Sequence, residues 1–254
     1  MVAAVSADAQ EGGSQTMRAQ MRLRELIVGG DLRPAERIAE VAMVERLGMS
    51  RTPIRMALVR LQEEGLLEAL PGGGFVVREF TETDIHDAIE LRGTLEGLAA
   101  RLAAERGVAA AVLADVHDCL DRIDALLEPA QLSEAAFAEY AEQNARFHRL
   151  LAEMSASPIV QRQIERALTL PFASPNGFVM AHASGPRARD RLVIAHDQHR
   201  SVVEAIESGE GARAELLMRE HARNARHNLT DTLRDRRALE HLPGASLIRR
   251  RSAR

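Results

Sequence analysis

Lysine is absent from this 254-residue sequence, and all 33 of its positive charges are arginine. Schiff-base chemistry and the ammonium of a phosphate-binding P-loop are thereby excluded. Tryptophan is also absent and aromatics reach only 3%, a mixture that favours helices packed through small and straight-chain residues. A single cysteine, Cys119, rules out an intramolecular disulfide and any zinc motif made of cysteines, and a reducing cytoplasm fits. Its neighbours Val116, Leu120 and Ile123 recur at helical spacing, which marks Cys119 as a small core residue rather than a nucleophile. No apolar run approaches the ~20 residues that a membrane-spanning helix needs. Residues 1–16 lack a basic start followed by an apolar stretch, so they are no signal peptide and are expected to form a disordered tail.

What is present favours helices. Hydrophobic residues make up 46% of the chain, ample for a buried core, and Ala, Leu, Arg and Glu dominate the composition. The length suits two domains. A net charge of −4 does not advertise nucleic-acid binding, but a small basic reading face can coexist with an acidic second domain.

Taken in order, the chain predicts a helix over about 17–28 that stops at Gly29-Gly30, a turn at Asp31-Leu32-Arg33-Pro34, and a second helix over about 38–47 that ends at Gly48. A third helix starts at Ser50, a side-chain cap, with Pro53 in its first turn, and runs to Gly65. Ile54, Ala57, Leu58 and Leu61 make its buried stripe, and Arg51, Thr52 and Arg55 gather near its N-terminal end, off that stripe. Alone, this would be a surface helix with solvated arginines. Preceded by a helix and a glycine turn, it reads as the second helix of a helix-turn-helix, which enters the major groove. Leu66–Leu70 and Phe75–Val77, joined by Pro71-Gly72-Gly73-Gly74, read as a β-hairpin wing whose glycine N–H groups can donate to phosphate.

These motifs together resemble the winged-helix domain of GntR-type transcriptional regulators: Leu32-Arg33-Pro34, Leu47-Gly48-Met49-Ser50-Arg51-Thr52-Pro53-Ile54-Arg55, Leu61-Gln62-Glu63-Glu64-Gly65-Leu66 and the Pro71–Phe75 wing. The resemblance implies operator contacts from Ser50, Arg51, Thr52 and Arg55, with Gly73 at the wing tip. Some members place an arginine on the second helix where this chain has Val41. Arginine can pair bidentately with guanine O6 and N7, while serine and threonine suit phosphates or base edges; which arginine reads a base is open.

From Thr81 onward helical signals run to about Asp235, with helices expected over about 81–107, 108–127, 132–154, 157–168, 187–207 and 210–235. The segment with Pro171, Pro175, Gly177, Gly185 and Pro186 reads as loop with a helical piece. The expected architecture is mainly α, an N-terminal winged helix-turn-helix over 17–78 followed by an antiparallel helical bundle over 79–238 and an Arg-rich tail over 239–254. Glu90-Leu91-Arg92-Gly93-Thr94-Leu95-Glu96, Asn144-Ala145-Arg146-Phe147-His148, His199–Ile206 and His221 resemble the FCD effector-binding domain of the FadR-like branch. The resemblance implies a divalent metal, zinc, nickel or manganese, held by Asn144, His148, His199 and His221, with Asn144 at the position of a carboxylate. Four-residue spacing puts Asn144 and His148 on one helical face. A neutral amide is a weaker donor than a carboxylate and leaves the site more positive.

Taken singly, each of the nine histidines is an ordinary hydrogen-bonded or exposed residue, and His86, His117, His182, His227 and His241 receive no role. His196 is the understudy of His199, three residues away on the same helix. Arg92 matches an arginine that faces the effector cavity in related domains, where it would hold a carboxylate bidentately; the alternative is a surface arginine paired with Glu96. The implied protein is a dimeric, metabolite-responsive repressor released from operator DNA by a small organic acid. The competing classes are a helical-bundle metalloenzyme and an effector-independent DNA-binding dimer. Against the enzyme, no histidine has a glutamate three residues before it and there is no His-Glu-x-x-His helix.

Overall fold

The computed structural model describes residues 2–176, 188–234, 239 and 242–249. The chain divides into two units, residues 1–84 with 243–254, and residues 85–242.

The first unit is built from α1 (Val2–Val28), α2 (Glu40–Leu47) and α3 (Arg51–Glu63), with a three-stranded antiparallel sheet of β1 (Arg37–Ile38), β2 (Leu67–Ala69) and β3 (Phe75–Val77). Its helix α1 begins well ahead of the expected Met17, because the alanines of residues 2–10 are good helix formers and Gly12-Gly13 weaken a helix without stopping it. Gly48 ends α2 in the left-handed conformation at φ +63, returning its N–H to the Val44 carbonyl, which is the tight turn that aims α3. Ile38 does not open α2 as expected. It lies in β1 opposite Phe75, with Arg37 opposite Val76, so β3 is the central strand and pairs on its other edge with β2. Leu23, Ile27, Ile38, Ile54, Leu58, Leu61, Leu66 and Val77 fill the core, and the i, i+4 stripe of α3 lies wholly inside it.

Residues 243–249 belong to this unit and do not form a separate tail. The Phe80 N–H donates to the Leu247 carbonyl at 2.8 Å and the Arg249 N–H to the Phe80 carbonyl at 2.8 Å. A 3-10 turn at Ala245–Leu247 follows Gly244, and Leu247 and Ile248 are buried.

The second unit is a helical bundle of α4 (Glu82–Arg106, whose first turn carries the unit boundary), α5 (Ala110–Leu127), α6 (Glu134–Met154), α7 (Pro158–Thr169), α8 (Ala188–Glu207) and α9 (Gly211–Arg234). The boundaries follow local chemistry. Ser133 caps α6 by accepting the Ala136 N–H, and Ser157 caps α7 by accepting the Val160 N–H, with Pro158 in the first turn. Cys119, Leu120, Ile123, Phe147, Leu151, Val202 and Met218 form the shared core. Cys119 is buried and donates to the Gln143 carbonyl, in keeping with a core role. Leu170–Asn176 is turn and loop; Gly177, Gly185 and Pro186, and with them the expected helical piece, lie outside the described residues.

Candidate functional sites

The DNA-reading candidates on α3 share the exposed face of that helix. Arg51, Thr52, Arg55 and Met56 are exposed on the first two turns of α3, while Pro53, Ile54, Ala57 and Leu58 face the core. Ser50 occupies the N-cap position in an extended conformation, but its side chain makes no cap bond, contrary to the sequence expectation; the hydroxyl is not committed to the helix end. The wing tip is a turn in which the Gly73 N–H returns to the Leu70 carbonyl at 2.9 Å and the Leu70 N–H to the Gly74 carbonyl at 3.0 Å. Gly73 and Gly74 hold φ of +87 and +81, a region that only glycine enters cheaply. Val41 on α2 is 51% exposed and Met56 on α3 46%, two uncovered apolar side chains.

In the bundle, His148 from α6, His199 from α8 and His221 from α9 converge, with one ring nitrogen of each lying within 4.8 Å of the others. Their environment sets which nitrogen is free. Glu96 on α4 accepts from His148 Nδ1 at 2.8 Å, which places the lone pair on His148 Nε2, a buried atom with no hydrogen-bond partner. Gln198 lies 3.2 Å from His221 Nδ1 and fixes the second ring in the same way. His199 Nε2 then stands 3.2 Å from His221 Nε2. Two nitrogens bound to one ion at ~2.05 Å lie about 2.9–3.3 Å apart for bond angles of 90–109°, so the spacing suits shared ligation. Orphaned buried nitrogens, oriented partners and separation all fit a divalent cation.

Asn144, one turn before His148, is buried beside the cluster, and its amide nitrogen donates to Asn176 at 2.7 Å. The amide carbonyl is thereby left as the donor atom. Asn176 in turn donates to the Ala141 carbonyl at 2.7 Å, a brace with no sequence signal. His196 is not among the converging ligand atoms, and its Nε2 meets Asp124 at 2.8 Å. Asp124 also pairs with Arg200. His117 pairs with Glu207 at the surface and His227 with the Arg223 carbonyl, while His182 and His241 lie outside the described residues.

Arg92 and Glu96 overturn the surface-pair alternative, since their side chains are 1% and 0% exposed. The Arg92 guanidinium lies 3.5 Å from Glu96, and its Nε and Nη1 have no hydrogen-bond partner. A cavity of about 160 Å³ opens against Arg92, Tyr140, Asn144, His221 and Asn224, a size comparable with the ~150 Å³ that holds a benzene-sized molecule. Glu96 carries no signal of a site residue in the sequence, because an i, i+4 Arg–Glu pair looks the same whether it is exposed or buried.

The electrostatics keep His199 and His221 neutral. Burial, then the neighbouring histidines and Arg92, hold His199 well below its ordinary value; burial, then His148 and Arg92, bring His221 down to about 3. Burial alone would raise Glu96, but His148 and Arg92 outweigh it and lower the carboxyl to about 2. All three shifts act in one direction with pH. The unfolded chain binds more protons than the folded one between about 6.5 and 3 for His221, from about 6.5 downward for His199, and between 4.5 and about 2 for Glu96, so stability is lost as pH falls through those windows. Each fully shifted histidine contributes a slope of up to ~1.4 kcal/mol per pH unit. Thermal unfolding of chelator-treated protein is expected to move steadily down from pH 7 to pH 5; an unchanged midpoint would show that the His199 and His221 rings are not buried together.

Residues 15–77 match the family described as bacterial regulatory proteins, gntR family, and residues 87–224 match the FCD domain. An uncharacterized HTH-type transcriptional regulator in the TAR-I ttuE-ttuC' intergenic region of Agrobacterium vitis is 33% identical over 154 residues, which cover 60% of this chain and 87% of that protein. The HTH-type transcriptional repressor GlaR of Escherichia coli (strain K12) is 27% identical over 202 residues, covering 78% and 88% of the two chains. The solved structure of E. coli McbR/YncC aligns with a TM-score of 0.57 at 21% identity, covering 87% of this chain and 97% of that one, a likeness of fold.

Proposed function

The chain belongs to the gntR family of bacterial regulatory proteins, with an FCD domain behind its winged helix, and from that premise we propose that it is a dimeric repressor released from its operator by a small carboxylate bound beside a divalent metal. It is a DNA-binding transcriptional regulator, and its relatives are regulators and not enzymes. The observation that carries the finer reading is the buried Arg92, which lines the same cavity as Asn144 and His221 and whose Nε and Nη1 have no hydrogen-bond partner. A buried guanidinium without full hydrogen bonding is costly unless an anion completes it.

In this reading Arg51, Thr52 and Arg55, with Ser50 and the Gly73 wing, meet the operator. His148, His199, His221 and the Asn144 carbonyl hold the metal, which supplies a positive charge for one carboxylate oxygen while Arg92 takes the other. Glu96 and Gln198 orient the rings. Asn144 in place of a carboxylate leaves the loaded site one unit more positive, which favours an anion. The effector acts by binding the operator-competent and incompetent states with different affinity.

The test starts from duplexes that the full chain selects out of a random-sequence pool. Arg51→Ala or Arg55→Ala is expected to weaken binding to the selected duplex by about 1–3 kcal/mol where the arginine reads a base, and to relax the preference at that base pair. Small carboxylates titrated calorimetrically are expected to bind only when zinc, nickel or manganese is present and to lower affinity for the duplex. If His199→Ala left metal content unaltered, or if neither arginine variant changed duplex binding, the corresponding half of the reading would be wrong.

A further inference from the structure

We infer that the effector is a dicarboxylate, with one carboxylate at Arg92 beside the metal and the second held by Arg191 at the other end of the same cavity. The inference rests on the reading of that cavity as a carboxylate site. It adds the class of ligand and the side chain that selects it.

Two observations carry it. The first is the position of a second guanidinium. Arg191, in the first turn of α8, lines the cavity that Arg92 also lines, and its Nη1 is buried without a hydrogen-bond partner among the described residues. Its Nη2 donates to Asp231 of α9 at 2.7 Å, which fixes the planar fork and leaves one arm uncommitted. The Arg92 side chain is 1% exposed and that of Arg191 26%, so Arg92 marks the closed end of the cavity and Arg191 the end towards solvent. Helices α8 and α9 run antiparallel, linked by His199 and His221 at 3.2 Å and by Arg191 and Asp231. From Arg191 to His199 the axis of α8 rises ~12 Å. One carboxylate group cannot bridge such a length, whereas two joined by a short chain can. Leu192 and Ala195 on α8 and Ala225 on α9, which also line the cavity, fall between the two ends and offer methylene groups an apolar wall.

The second observation is charge. Among the described residues that line the cavity there are two arginines and no aspartate or glutamate. Each arginine has its counter-charge outside the lining, Glu96 for Arg92 and Asp231 for Arg191. The donors proposed for the metal are all neutral, because a ligating imidazole carries no charge and neither does the Asn144 amide. A divalent ion at His148, His199 and His221 would therefore bring two charges that the donor set leaves uncompensated. One carboxylate neutralises half of that charge and two neutralise it fully, and uncompensated charge in a buried site is costly. The N-terminal turn of α8, to which Ala188 and Arg191 of the lining belong, adds the positive end of a helix dipole at the outer end. Arginine is the side chain suited to this task, because its fork pairs with both oxygens of a carboxylate.

The test compares diacids with monoacids of the same length on the zinc-loaded full chain: succinate, glutarate and adipate against butyrate, valerate and hexanoate. Affinities are measured by isothermal titration calorimetry, and zinc content and circular dichroism melting are followed on the same samples. The parent is expected to bind at least one diacid about 10- to 100-fold more tightly than its matched monoacid, the range for a charge-assisted hydrogen-bonded contact. Arg191→Gln should bring that diacid down to the affinity of the monoacid. Monoacid affinity and zinc content should stay as in the parent, and so should the melting midpoint, because an ion pair with a half-exposed partner contributes little to stability. Arg191→Lys keeps the charge without the fork, so its preference should fall between the two, and it serves as the test if the glutamine variant melts low. A parent that bound diacids and monoacids equally, or a normally melting, zinc-loaded variant that kept the parent's preference, would overturn the inference while leaving the carboxylate reading intact. A parent that bound neither kind of acid would overturn both.

Discussion

Glu96→Ala is expected to destabilise the helical unit by about 3–5 kcal/mol, the range for removing one partner of a buried ion pair, which for a unit of this size lowers the melting midpoint by roughly 10 °C. The reason is the company that Glu96 keeps. It is the buried carboxylate facing the Arg92 guanidinium, 3.5 Å away, and the acceptor for His148 Nδ1 at 2.8 Å. Without it, Arg92 is a buried cation whose Nε and Nη1 already lack hydrogen-bond partners, and His148 loses the bond that fixes its tautomer. Glu96→Gln keeps an acceptor for His148 but removes the charge, so its effect should be intermediate. The double replacement Arg92→Met with Glu96→Leu should recover most of the stability, because an apolar pair needs no compensating charge. It should nevertheless lose carboxylate binding. Denaturant melts of the four proteins, followed on the helical transition, check the order; an alanine variant that melts within a degree of the parent would mean that water reaches the pair.

That prediction could not have been made from the sequence, and the reason is physical. Periodicity reports which face of a helix is apolar, and it serves well for α3, whose stripe of Ile54, Ala57, Leu58 and Leu61 is buried as spaced, and for the helices from α4 to α9, whose boundaries fall within a few residues of expectation. It reports nothing about polar residues that the fold turns inward. Arg92 and Glu96 have helix-surface spacing, and their burial follows from the glycines beside them, which let α9 come close. His196 and His199 share a helix and differ by only three residues; Asp124, on another helix, takes the first and leaves the second for the cluster. Local rules also miss what pairing creates. Arg37-Ile38 is too short to read as a strand, and it is one because β3 lies beside it. Leu247-Ile248 is equally short, and its anchor, Phe80, is far away in the chain. The Ser50 position is legible as a helix start from residue type alone, whereas its missing cap bond depends on a rotamer.

A tight helix contact in the bundle leads to the second large effect. A Cβ placed on Gly93 would stand 2.3 Å from the Ala222 Cβ, and one on Gly97 would stand 2.9 Å from Arg219 Cγ and 3.1 Å from the Glu215 carbonyl. Carbon atoms settle at about 3.5–4.0 Å, so Gly93→Ala must move α4 and α9 apart by more than an ångström. Ala222 offers no flexible end to swing away, and it is buried. Overpacking of this kind costs about 3 kcal/mol, the upper part of its usual range. The chain position adds a functional consequence. Ala222 follows His221, so a displaced α9 carries that ring away from His148 and His199, and ligand sets tolerate only ~0.5 Å of such movement. Gly93→Ala should therefore lower the melting midpoint by roughly 6–12 °C and also weaken zinc binding at temperatures where the protein is still folded. The partner change Ala222→Gly supplies the rescue: the missing methyl on α9 accommodates the new one on α4, and the helix propensities gained at one site and lost at the other, ~1 kcal/mol each, cancel. A double variant that regained stability and zinc affinity together would tie the metal site to this seam, whereas a Gly93→Ala protein matching the parent in both would show that the two helices are not in contact there.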